Sequence, residues 1–286
     1  LERSFMHLGF HIFDVGFRAN LRNTALLSLL VAGALLAGHL QTALHVAMAV
    51  GGWSVFRMTT TVAGTRLSRA SLGHLALGAV LGVLVAMPQL LPFFEYLGDS
   101  RGAVVLEELQ TVDRIAPSDA GILMLDPGHH GSPAAAQGFG PYDGPTGQNV
   151  NFNELIGGYV GRLALLLALA GVWFGRRKRE VWFLAGAALL AAAIAWQVPG
   201  IYDAVAAVPK LKSTKLMRFA VVLAFALACL AAFGLEGLAA RLARRPGPSS
   251  SALSTGLSLA VILLVAVELV AFGRGYNPTL DPAELA

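Results

Sequence analysis

Five apolar runs govern what this chain can become: Ser71 to Phe93, Leu155 to Phe174, Val181 to Val198, Leu216 to Ala239 and Ala252 to Phe272. A helix needs about 20 consecutive apolar residues to cross the hydrocarbon core of a bilayer, and these runs are of that order. Lipid cannot satisfy a free backbone N–H or C=O, so a spanning segment must be helical or belong to a closed barrel. The composition agrees. Charged residues make up 13% of the 286 and hydrophobic ones 56%, with a mean hydropathy of +0.65. A soluble domain is nearer a quarter charged, because its surface faces water. The chain reads as an all-α polytopic membrane protein.

The same arithmetic excludes other classes. The net charge of +4 is small and is divided by the topology, so it gives no nucleic-acid footprint. A single cysteine, Cys229, rules out an intramolecular disulfide and a cysteine-based zinc site. Leu1 is not an initiator methionine and no signal peptide follows it, so the chain is expected to be an internal piece of a longer protein.

Basic residues order the spans. The stretch from Thr24 to Phe56 is interrupted by the polar turn Gly38-His39-Leu40-Gln41-Thr42, with Arg18 and Arg22 before it and Arg57, Arg66 and Arg69 after it. Short loops rich in Lys and Arg stay cytoplasmic, so this stretch is expected to run out and back with His39 and Gln41 near the outer face. Arg176-Arg177-Lys178-Arg179 and the Arg241, Arg244, Arg245 cluster then fall inside, giving about seven crossings. The expected divisions are an interfacial or preceding-helix segment (1–23), first membrane helices with the 38–42 hairpin turn (24–97), an extracytoplasmic loop (98–153), C-terminal membrane helices (154–273) and the start of an outer segment (274–286). In the first of these, Met6, Phe10, Phe13, Phe17 and Leu21 share one helical face, the pattern of a packing or interfacial helix.

Candidate functional residues gather on the outer side. Pro88 and Pro92 are expected to break or kink their span, and Glu95 beyond them to face an interior cavity, because a carboxylate facing lipid is costly. Lys210, Lys212, Lys215 and Arg218 place a basic cluster where Lys and Arg are usually sparse. Such a cluster suits a phosphate or diphosphate head group, or else snorkels to lipid phosphate. Arg162 is expected about a turn and a half inside its span, within reach of Glu154 as an ion pair or of a ligand. His39 and Gln41 either project into an outward cavity or cap helix ends. Asp126 with His129-His130 makes no metal site, since adjacent histidines point apart and no helical His-x-x-x-His occurs. P-loop, nucleophile-elbow and Rossmann motifs are missing from the sequence.

Several strings, in order, resemble the bacterial YfhO-type membrane proteins of the GT-C glycosyltransferase superfamily. They are Gly38-His39-Leu40-Gln41, Pro88-Gln89-Leu90-Leu91-Pro92 with Glu95 and Ser100-Arg101, Asn151-Phe152-Asn153-Glu154 with Tyr159-Val160-Gly161, Arg218-Phe219, and Tyr276-Asn277-Pro278-Thr279. The resemblance implies a GT-C-like enzyme of the bacterial cytoplasmic (inner) membrane. It would move a sugar from a polyprenyl-phosphate donor to an envelope glycan or lipid at the outer face, by an inverting mechanism. It implies that Lys215 and Arg218, with Lys210 and Lys212, stabilise the departing phosphate. His39, Gln41, Glu95, Glu154, Tyr159 and Arg162 would form the substrate-binding set. The superfamily's catalytic carboxylate, a general base on the acceptor hydroxyl, typically lies in the first outer loop, which is expected to lie outside this chain, so none of Asp99, Asp126 and Asp143 is assigned as base. No cofactor is evident, and the resemblance leaves a divalent-cation requirement open. A transporter or flippase of a lipid-linked sugar, and a non-catalytic scaffold subunit, are the alternatives. Intramembrane charge suits the flippase, while the absence of inverted repeats counts against it.

Overall fold

The computed structural model describes residues 17–62, 64–99, 117–129, 158–208, 211, 214–244 and 250–276. These residues are helices and turns, with one isolated bridge between Val62 and Thr65 and no strand among them. The chain forms two compact units, Leu1–Val105 and Leu106–Ala286.

The first unit holds α1 (Phe17–Leu36), α2 (Leu40–Thr59) and α3 (Arg69–Asp99). α1 packs along α3 through a seam of small residues repeating every fourth position. Thr24, Ser28 and Ala32 are buried on α1; Gly78, Gly82, Ala86 and Leu90 are buried on α3. A Cβ on Gly82 would lie 2.6 Å from the Val31 Cβ and 2.7 Å from the Ser28 carbonyl oxygen, so only glycine admits this approach. Close backbone contact of this kind is how helices associate where lipid supplies no hydrophobic drive. His74 extends the seam by one turn, with Nδ1 3.2 Å from the Thr24 hydroxyl.

Gly38, at φ +80°, reverses the chain between α1 and α2. Of the expected break or kink in α3, the break does not occur: the helix continues through Pro88 and Pro92. The prolines withdraw donors from the carbonyls of Leu84 and Pro88. Ala86 and Leu90, packed in the seam beside them, hold the helix in register.

The second unit holds α4 (Pro117–Leu125), α5 (Arg162–Phe174), α6 (Arg179–Ala195), α7 (Ile201–Ala206), a 3-10 turn (Leu216–Phe219) that runs into α8 (Ala220–Ala243), and α9 (Ser250–Tyr276). α8 is central and packs on α5, α6 and α9. Its buried positions Leu223, Ala226, Leu227, Leu230, Ala231 and Gly234 form one helical stripe. α5 and α8 run in the same direction and cross where Gly171 meets Gly234. A Cβ on Gly171 would collide with the Leu230 carbonyl, and one on Gly234 with the Leu167 carbonyl.

This arrangement gives the second unit two distinct ends. At one, Lys178 reaches Glu236 at 3.4 Å and Arg241 lies over Phe174 at 4.2 Å. At the other, Gly158 abuts Leu223 and Glu268 of α9 meets the start of α5.

Among the described residues, three helices are long and apolar enough to cross a membrane: Arg69–Tyr96, Leu216–Ala243 and Ala252–Arg274. Leu21–Leu36 and Arg162–Phe174 are shorter apolar helices. The other helices depart from that length or composition for local reasons. Glycines at 158 and 161 cut the run from Leu155 to a helix of 13 residues. Arg179 and Glu180 open α6, which has 17 residues. α2 carries Gln41, His45, Ser54 and Arg57 among its apolar residues.

Candidate functional site

Glu268 is the organising residue of the site. It is the only charged side chain between Ala252 and Phe272, in a helix that is otherwise apolar with small hydroxyls. An isolated carboxylate there requires donors, and the N-terminus of α5 provides them. Glu268 accepts hydrogen bonds from the Arg162 N–H at 2.8 Å, the Tyr159 hydroxyl at 3.0 Å and the Leu163 N–H at 3.4 Å. The first N–H groups of a helix have no intrahelical acceptor, and the helix dipole is positive there, so a carboxylate fits both needs.

The local sequence prepares that contact. Gly158 and Gly161 have φ +103° and +93°, a region that residues with a Cβ rarely adopt. A Cβ on Gly161 would also come within 3.1 Å of Glu268 Oε2. The Tyr159 ring meets Phe272, one turn beyond Glu268, edge-on at 5.1 Å.

Arg162 is therefore the first residue of α5 and does not lie a turn and a half inside a span. The positive φ at Gly161 sets the helix start. Its main-chain N–H takes Glu268, and its side-chain Nε donates to the Leu125 carbonyl at 2.6 Å. That bond ties the end of α4 to the site. α4 places nine helical residues in the region expected to be a loop, driven by the apolar Ile122-Leu123-Met124-Leu125 with Leu123 buried. Asp126 and His129 follow, 4.0 Å apart. The Arg162 side chain is exposed.

The 3-10 turn brings Lys215 and Arg218 to this same end of the unit. Leu216, Met217 and Phe219 are buried and anchor the turn on the core, which leaves Lys215 and Arg218 half-buried beside the start of α8. Arg218 thus sits in the 3-10 turn that opens the apolar span Leu216–Ala243.

Other expected residues lie elsewhere. His39 is exposed, with Nδ1 3.3 Å from the Thr42 hydroxyl, and Gln41 is half-buried in the first turn of α2. Glu95 is exposed on α3. All three belong to the first unit. Glu154, Lys210 and Lys212 lie outside the described residues, as do residues 1–16, the Asn151-Phe152-Asn153 string, His130, Asp143 and Asn277-Pro278-Thr279. Among the described residues, no three His, Cys, Asp or Glu side chains converge as metal ligands would.

The structure thus brings Tyr159 and Arg162 together through Glu268, which the motif strings did not contain. Its signal in the sequence was one carboxylate in a long apolar run, a residue that must find a partner. Comparison with protein-family models, curated proteins and solved structures finds no match to this chain.

Proposed function

We propose that this chain forms the substrate-binding part of a membrane glycosyltransferase of GT-C type. It transfers a sugar from a polyprenyl-phosphate donor to an envelope glycan or lipid at the outer face of the bacterial inner membrane. The observation that carries this reading is the shared location of Arg162, Lys215 and Arg218 at the Glu268 end of the second unit, with the basic loops at the opposite end. Under the positive-inside rule, the loop end is cytoplasmic and the Glu268 end is outer. In that reading the half-buried Arg218 and Lys215 stabilise the phosphate as it leaves, which is most effective in a water-poor site. In the same reading the exposed Arg162 guanidinium takes a sugar hydroxyl or a phosphate oxygen. Glu268 spends its lone pairs on Tyr159 and the α5 N-terminus, so it positions the site, and the catalytic base remains unassigned.

The test compares envelope glycans and lipid-linked sugars by mass spectrometry in a strain lacking the gene, complemented with wild type or with Arg218→Ala. Wild type should restore one hexose-sized increment and the variant should not, although it inserts in the membrane normally. Normal transfer by Arg218→Ala overturns the phosphate assignment. Unchanged glycans with accumulated lipid-linked sugar would mark a flippase instead.

A further inference from the structure

The end of the second unit opposite Glu268 holds a surface of different chemistry. α5 ends at Phe174, the chain turns through Gly175, Arg176, Arg177 and Lys178, α6 opens at Arg179, and α8 closes with Arg241 and Arg244 nearby. Six basic side chains meet two acidic ones, Glu180 and Glu236. Lys178 takes Glu236 at 3.4 Å and lies over the Phe233 ring at 4.8 Å. Arg177, Arg179 and Arg244 have no acidic partner among the described residues.

Two of the guanidiniums are held in a particular way. Arg176 lies over the Trp173 ring at 4.7 Å, and Arg241 over the Phe174 ring at 4.2 Å. The turn that carries Arg176 is itself fixed, because Trp182 Nε1 donates to the Arg176 carbonyl at 2.8 Å. A guanidinium laid on an aromatic face is fixed at its face, while its in-plane N–H groups stay free to grip two oxygens of one phosphate. Trp173 and Trp182 are 62% and 58% exposed at the ends of apolar helices, the position that indoles take at a bilayer's polar boundary.

We propose that this end of the unit binds the phosphate of an anionic phospholipid headgroup, with Arg176 and Arg241 as ring-held donors. Arg177, Arg179 and Arg244 supply the surrounding positive field. A soluble acidic partner would meet the charge but would have no use for two exposed indoles at the hydrocarbon edge; a lipid uses both. No residue of the Glu268 end takes part, so this inference stands apart from the transferase reading.

The experiment reconstitutes the full chain in vesicles of lecithin, or of lecithin doped with phosphatidylglycerol, and counts retained lipid by native mass spectrometry. Wild type should retain phosphatidylglycerol in preference to lecithin. Arg176→Gln with Arg241→Gln should weaken that retention about fivefold for each guanidinium removed. Arg66→Gln with Arg69→Gln removes the same charge from the first unit and should leave retention unchanged. Arg176→Lys with Arg241→Lys keeps the charge but loses the planar fork, and should also lower retention. That variant carries the test if the glutamine pair does not fold by circular dichroism. Equal retention of lecithin, equal weakening by the two glutamine pairs, or wild-type retention by the lysine pair would each overturn the proposal.

Discussion

Replacing Gly171 with alanine should destabilise the second unit, while the same replacement at Gly186 should stabilise it. Both glycines lie in helices of that unit, so each gains the same intrinsic helix preference, up to about 1 kcal/mol. The surroundings differ. A Cβ on Gly186 meets nothing within 4 Å. A Cβ on Gly171 lands on the Leu230 carbonyl, a main-chain atom that no rotamer change can move aside. α5 and α8 must then part by roughly an ångström, and a gap of that size already forfeits a quarter to a half of the dispersion attraction between facing atoms. Overpacking in a tight core costs about 1–3 kcal/mol, and a contact with backbone belongs at the upper end. After subtracting the helix gain, Gly171→Ala should lose about 2 kcal/mol, which puts the two variants about 3 kcal/mol apart. Thermal or SDS-induced unfolding of the full chain in micelles, followed by circular dichroism, measures that gap. A Gly171→Ala variant within about 0.5 kcal/mol of wild type, the scatter of surface substitutions, would refute the argument from the crossing.

Two further perturbations address the other contacts. Glu268→Gln keeps an acceptor oxygen but loses the charge facing the α5 N-terminus, so it should cost about 1 kcal/mol. A double-mutant cycle with Tyr159→Phe should then show coupling, and additive losses would mean that the hydroxyl does not use this carboxylate. In the first unit, Gly82→Val should separate α1 from α3 and raise the hydrogen-exchange rates of amides around Ser28; unchanged protection there would contradict the small-residue seam.

What could be read in the sequence follows from the range of the forces involved. Hydropathy is a local property, so α3, α8 and α9 were visible as apolar runs. The Gly38 interruption, a local turn signal, marks where α1 gives way to α2. Helix limits were harder, because whether a glycine takes a positive φ depends on what it packs against. Gly158 and Gly161 looked like ordinary small residues of a span, yet they shorten α5 and move Arg162 to its first position. At the prolines of α3 the break that the local signal allowed does not occur, and Ala86 and Leu90 beside them are buried in the seam. The Glu268 contact joins residues 106 apart in the chain, a distance that no spacing rule covers. The carboxylate that the Arg162 main-chain N–H meets lies on another helix, while Glu154 lies outside the described residues.

The way α9 is attached bears on how the protein is built during synthesis. At one end its Ser254 hydroxyl donates to the Ala239 carbonyl of α8, and at the other Glu268 grips α5; the stretch between is largely uncovered by the other described residues. Its mean hydropathy of 2.4 lets the segment partition into a bilayer before any neighbour is in place. It is also the last described helix of its unit to leave the ribosome. α5, α6 and α8 can therefore close around the Gly171–Gly234 crossing first, with α9 arriving as a separate piece that two polar pins lock into register. Until the second pin forms, the amides at the start of α5 have no acceptor, so completion of the helix end waits on the arrival of its most distant partner.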